Sequence, residues 1–167
     1  EAELRFGRWV TLRVDVLHAN GENRQGESSA SLCSTPLRLY ASVSGMQDKD
    51  RLKPWTFELY DALGKAVKGE VRVSLKKGNE SLFQTTLEAK KSQVPVGLKS
   101  VPSGAYTLYA EAIVKGDTAR TEQRVVLFSM DDNTLPVDTT FWFYAHEKTF
   151  SKNRPGKVQI GSSLKDV

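Results

Sequence analysis

Along most of this chain, apolar and polar residues alternate one for one. The pattern is clearest between Trp55 and Leu75. Trp55, Phe57 and Leu59 alternate with Thr56, Glu58 and Tyr60; after Gly69, Val71, Val73 and Leu75 alternate with Glu70, Arg72, Ser74 and Lys76. Successive side chains on a strand point to opposite faces, so each run offers one apolar face and one wet face. Asp61-Ala62-Leu63-Gly64 breaks the pattern and lets the first strand turn and feed the second. Two such strands are marginal alone, so further strands or a second sheet must cover them.

The rest of the chain supplies those strands. Val10, Leu12, Val14 and Val16 alternate with Trp9, Thr11, Arg13 and Asp15, and Asn20-Gly21 is a hairpin signal. A weaker returning strand is expected from about Glu27 to Cys33, its small residues pointing to an edge or a close contact. Ser34-Thr35-Pro36 then punctuates the chain. Beyond it Leu37 to Val43 alternate, Ser44 to Lys53 read as a polar loop, and Phe83-Thr85-Leu87 and Val94-Val96-Leu98 read as short strands. Tyr106 to Val114 is a long run, closed by Lys115-Gly116-Asp117 onto a last strand over 119–128. That predicts seven strands between Leu37 and Phe128, the spacing of an immunoglobulin-like sandwich. Leu39, Trp55, Phe57, Val71, Val73, Leu108 and Val126 are its predicted core.

Asp131-Asp132-Asn133-Thr134-Leu135-Pro136 has linker composition; Phe141-Trp142-Phe143-Tyr144 follows as an aromatic strand, and Val158 to Ile160 begin another. No stretch sustains a 3.6-residue period. The expected fold is therefore all-β, an antiparallel β-sandwich with partial flanking β segments. Residues 1–34 are expected to close a preceding domain, 35–131 to form a complete sandwich, and 132–167 to be a linker and the opening of a following domain. Neither end has enough strands to bury its own apolar face. The ends are expected to cover each other or the sandwich's flank, or to pair with a neighbouring molecule, a self-association driven by truncation.

Composition narrows function mostly by exclusion. The chain of 167 residues is 39% hydrophobic and 26% charged, ordinary for a globular protein, with a formal net charge of +4. Its basic residues are scattered among acids; the densest pairs, Lys76-Lys77 and Lys90-Lys91, read as solvated faces, and no nucleic-acid partner is expected. No apolar run reaches the roughly 18 residues of a spanning helix, and no signal peptide opens the chain. The protein is thus expected to be cytoplasmic or a piece of something larger. Cys33 is the single cysteine, so no internal disulfide is possible.

Candidate chemistry is sparse. His146-Glu147 could open a metalloprotease HExxH motif, but Phe150 stands where the second histidine belongs. His18 is alone at a strand end, and both histidines read as surface residues. Gly64, Gly69 and Gly78 lie too far apart, and between strands, to cradle phosphate. No Gly-x-Ser-x-Gly elbow exposes a serine nucleophile. The aromatic cluster at 141–144 could stack on bases or sugars, although its alternation fits a sandwich strand better. No enzyme activity, catalytic residue, metal site or cofactor is expected.

Arg13-Val14-Asp15-Val16 with Asn20-Gly21-Glu22 is similar to the V-T-D-x-N-G-E hairpin of a known family, the bacterial alpha-2-macroglobulin-like proteins, and further stretches resemble the same family. Phe57 to Leu75 resembles their next macroglobulin domain, and Ser103-Gly104-Ala105-Tyr106 with Leu108 and Ala110 matches their S-G-x-Y-x-L-x-A strand. Pro155-Gly156 through Gly161-Ser162-Ser163-Leu164-Lys165-Asp166-Val167 resembles, with shorter spacing, the opening of the domain that follows. The resemblance implies a macroglobulin-type fold and a scaffold segment of a large bacterial envelope protein, periplasmic, or attached to the outer membrane or extracellular. Such proteins trap proteases, which cleave a bait segment and are enclosed as the domains collapse. Many carry a Cys–Gln thioester. Here Gln123 follows Arg120-Thr121-Glu122 and Cys33 precedes Ser34-Thr35-Pro36, so the segment is expected to lack a thioester and a bait region. The partners implied are neighbouring domains of the parent and the proteases it traps. The alternative is a stand-alone adhesion or carbohydrate-binding sandwich of the envelope using Trp142, Tyr144 and neighbouring aromatics.

Overall fold

A computed structural model describes residues 9–31, 35–147, 149, 151 and 156–164. Its centre is a sandwich of two sheets. The smaller sheet joins β3 (Leu37–Ser42), β5 (Thr56–Asp61) and β6 (Ala66–Val67) in the order β3-β5-β6. The larger contains β4 (Met46–Asp48), β7 (Glu70–Lys77), β8 (Glu80–Glu88), β9 (Gly104–Val114) and β10 (Asp117–Phe128), in the order β4-β10-β9-β7-β8. Two ribbons flank it: β1 (Trp9–Leu17) with β2 (Asn23–Ser31), and β11 (Trp142–Ala145) with β12 (Val158–Gly161). The protein is all-β, as its alternation predicts.

The run from Trp55 to Leu75 does lie at the heart of the core. Trp55, Phe57, Leu59, Val71 and Leu75 are fully buried and Val73 nearly so. Its two strands face each other across the sandwich, however, and do not pair. β5 turns at Gly64, where φ is +77° and the Asp61 carboxylate accepts the Leu63 and Lys65 amides. It pairs with the two residues of β6, and Lys68-Gly69 then carry the chain to the other sheet. Gly69 sits where the layers close: an added Cβ would lie 3.0 Å from Val114 Cγ2 and 3.1 Å from Leu59 Cδ1. A larger residue there would require the Val114 and Leu59 side chains to yield by a few tenths of an ångström.

Three further expectations are corrected. Val94 to Leu98 do not form a strand: Gln93 bridges Trp55, and Val96–Ser100 wind into a 3-10 turn whose Leu98 is fully buried. The polar stretch 44–53 contains β4, which pairs in parallel with the end of β10, so the sandwich is not wholly antiparallel. Val126 is half-buried on the outer side, whereas Val125 and Leu127 fill the core. Leu39, Trp55, Phe57, Val71, Val73 and Leu108 are buried as expected. The returning strand β2 begins at Asn23, and Cys33 lies outside the described residues.

Local chemistry secures the β9–β10 hairpin. Lys115 and Gly116 both have positive φ, 53° and 90°, the backbone of a two-residue primed turn. At the other end of β9 the buried Tyr106 donates its hydroxyl to the Pro102 carbonyl, 2.8 Å away, a tyrosine corner of the kind sandwich folds use to fix a strand entry. Burial pushes the Tyr106 phenol above its ordinary pKa.

Candidate functional site

The main concentration of partly buried polar side chains lies where the β11–β12 ribbon meets the end of the sandwich. β4 brings Gln47 and Asp48 inside, 1% and 3% exposed, among a core that is otherwise apolar. An ionised carboxylate at such depth needs charged or hydrogen-bonding partners. Asp48 has them: Oδ1 accepts the Asp50 amide at 2.9 Å, and Oδ2 lies 2.6 Å from His146 Nε2. The His146 side chain is itself only 10% exposed. This corrects its assignment to the surface. Trp142, Tyr144 and His146 share the phase of β11 that turns inward, and the same alternation that marks the strand carries the imidazole onto Asp48.

Aromatic packing seats the ribbon. Phe128, fully buried at the end of β10, meets Trp142 edge to face at 5.3 Å between centroids and Tyr144 at 4.5 Å. Trp142 Nε1 donates to Gln159 Oε1 at 2.9 Å, while Gln159 Nε2 donates to the carbonyls of Ser129 and Asp132. The 129–132 turn is stitched in turn to the sandwich. Ser129 Oγ donates to Asp50 Oδ2 at 2.7 Å and the Met130 amide adds a second bond there. Those bonds, the serine hydroxyl foremost, hold the Asp50 carboxyl below its ordinary pKa. Arg51 pairs with Glu147 at 2.9 Å and Lys157 pairs with Asp131 at the rim. The Asp131 carboxylate raises the Lys157 pKa.

The arrangement is a joint. Hydroxyl, imidazole and carboxylate are all present, but Ser129 donates to Asp50 and His146 is held by Asp48, so the three are not aligned as a proton relay. Among the described residues no group of three or more His, Cys, Asp or Glu could hold a metal ion. The other residues singled out above lie apart. His18 is exposed in the β1–β2 turn, where its carbonyl accepts the Gly21 amide; Gly64 and Gly78 occupy separate turns. Gln123 donates from Nε2 to the Val43 carbonyl at 2.9 Å, tying β10 to the chain where it leaves β3. Phe150 lies outside the described residues.

Trp142, 6% exposed, and Tyr144, half-buried against Phe128, are turned away from solvent and offer no open stacking surface. Phe143 of β11 and Phe141 just before it are exposed, their rings nearly parallel at 6.5 Å between centroids. With Ile160 they form an apolar outer face on the ribbon. The N-terminal ribbon has a counterpart in Leu12, Val14 and Val16, all exposed. No model of a known protein family matches this chain, and no curated protein matches it. Among the described residues no helix is long and apolar enough to cross a membrane.

Proposed function

We propose that this chain is a non-catalytic structural segment of a large bacterial envelope protein of the alpha-2-macroglobulin-like kind. Residues 35–131 are a macroglobulin-type domain, 1–34 close the domain before it, and 132–167 open the domain after it. The observation that carries this reading is the architecture at the two ends. A two-sheet sandwich is preceded and followed along the chain by a two-stranded ribbon, and each ribbon has an apolar face left open to solvent. Large exposed apolar patches usually mark surfaces made for a partner. Serial domains of one parent chain would supply that cover, and the joint at Asp48 and His146 suits a scaffold that must hold one domain against the next. On this reading the partners are the neighbouring domains and, through the parent, the proteases it traps. The location is the bacterial cell envelope, either the periplasm or the outer membrane and its extracellular side. Separated from the parent, the open faces favour self-association.

The test is chemical. Incubated with methylamine, the segment gains no mass, because a thioester carbonyl is needed for the amine to attack. It leaves the activity of added proteases unchanged and hydrolyses no peptide or ester. A methylamine adduct at Gln123, or turnover abolished by one point substitution, would overturn the scaffold assignment.

A further inference from the structure

The five-stranded sheet ends at β8, with no strand beyond it among the described residues. Along such an edge, residues bonded to the neighbouring strand alternate with residues whose backbone groups face outward. The Ala89 amide donates to Gly69, just before β7, and the Glu88 amide donates the other way, to Gln93 Oε1. By that alternation Gln84 and Thr86 also turn their backbone groups away from β7, and both residues are exposed. Sheet edges are usually guarded by shortness, proline or charge. The sandwich's other edges have such guards: β4 and β6 are three and two residues long, and β3 carries Arg38. β8 runs for nine residues, and Leu82-Phe83-Gln84-Thr85-Thr86-Leu87 within it holds neither charge nor proline. Its one irregularity is a bulge opposite Leu75 and Lys76. The chain then passes beside this edge, where Gln93 holds Glu88 and Gly97 packs on the Phe83 ring. Val94 and Val96 of that segment are exposed, an apolar flank to the open strand.

We propose that β8 pairs antiparallel with β8 of a second copy, about a two-fold axis at Thr85, joining the two five-stranded sheets into one. The strand's own residues choose this register. An axis at Gln84 would bring Glu88 toward Glu80 of the other copy, like charge to like charge. An axis at Thr86 would set Gln84 against Glu88, whose amide Gln93 already holds. With the axis at Thr85, each Gln84 meets Thr86 of the second copy, and each such pair exchanges two backbone hydrogen bonds. Phe83 then stands opposite Leu87 of the second copy, so the core-side row continues across the join. This inference stands independently of the scaffold role and uses neither terminal ribbon.

Hydrogen exchange and sedimentation of the full chain test it. Protection of the Gln84 and Thr86 amides is expected to rise with protein concentration up to about 1 mM, as the dimer forms. Gln84→Lys with Thr86→Lys sets like charges opposite each other and is expected to weaken dimerisation by about threefold or more. Gln84→Lys with Thr86→Glu sets opposite charges there and is expected to strengthen it by about threefold or more. Both positions are exposed, so the core is undisturbed. Association through the terminal ribbons would leave those two amides unprotected and would not follow the charge swap. Exchange at Gln84 and Thr86 that is independent of concentration, or two charge variants that shift association in the same direction, would overturn the proposal.

Discussion

At the scale of single residues, alternation identifies the buried face wherever a strand keeps its phase to the end. Phe57, Val71, Val73 and Leu108 obey it because each lies on a strand flanked by others on both sides, and Trp55, just before β5, obeys it while bridged to Gln93. Val125-Val126-Leu127-Phe128 defeats it. Four apolar residues in a row carry no period; in the structure Val125 and Leu127 fill the core, while half-buried Val126 lies opposite Met46 in the parallel register with β4. Asp48 is illegible for a related reason: nothing in a polar stretch reveals that three of its residues will join a sheet and two of them be buried. His146 could have been found, since it continues the inward phase of Trp142 and Tyr144. The consequence is measurable in urea unfolding. Val125→Ala should cost about 2 kcal/mol, from two lost methyl groups and the cavity they leave. Val126→Ala should cost less than about 1 kcal/mol, as an outer-face change. Equal costs would place both side chains in the core.

At the scale of elements, the two ribbons differ although both are short antiparallel pairs. β11–β12 gives its inner face to Phe128 and its polar ends to Asp48, Ser129 and Asp132. The described side chains of β1–β2 are exposed on both faces. Alternation announces both ribbons but not which one docks, because docking depends on groups far away in sequence, such as the pair of Asp48 with His146. The same distance separates β5 from β7: each was legible as a strand, but their membership of different sheets was not. Two residues of β6 end the first hairpin, and so short a strand has no sequence signature. The docked ribbon carries an acid-sensitive fastening. Because the folded Asp50 carboxyl sits below its ordinary pKa, its bonds to Ser129 and Met130 contribute stability above about pH 3.8 and lose it as pH falls through the folded value. Protection of the Met130 amide from hydrogen exchange, taken relative to an unstructured peptide at the same pH, should therefore fall below that pH. In Ser129→Ala, which removes the hydroxyl bond to the same carboxylate, the loss of protection should be smaller. An unchanged acid profile in Ser129→Ala would show that the fastening lies elsewhere.

At the scale of the whole molecule, the boundary expected after residue 131 cuts through the joint. Phe128 belongs to the sandwich by sequence, yet its ring is covered by Trp142 and Tyr144 from beyond the linker. Asp48 likewise belongs to the sandwich and meets its imidazole from beyond the linker. Ending the chain at residue 131 thus exposes a large aromatic side chain and leaves a buried carboxylate without its basic partner. Exposing a phenylalanine forfeits about 1.5–3 kcal/mol, and the lost hydrogen bond between Asp48 and His146 adds to it. A chain of residues 35–131 is therefore expected to fold, since the core between the two sheets is complete, but to be less stable than residues 35–167 by at least about 2 kcal/mol in urea unfolding. Removing residues 1–34 instead should change that stability by less than about 0.5 kcal/mol, because the described side chains of the first ribbon leave no core exposed behind them. Equal stability of the 35–131 and 35–167 chains would mean that the ribbon rests on the sandwich without supporting it, and the joint would then be a hinge.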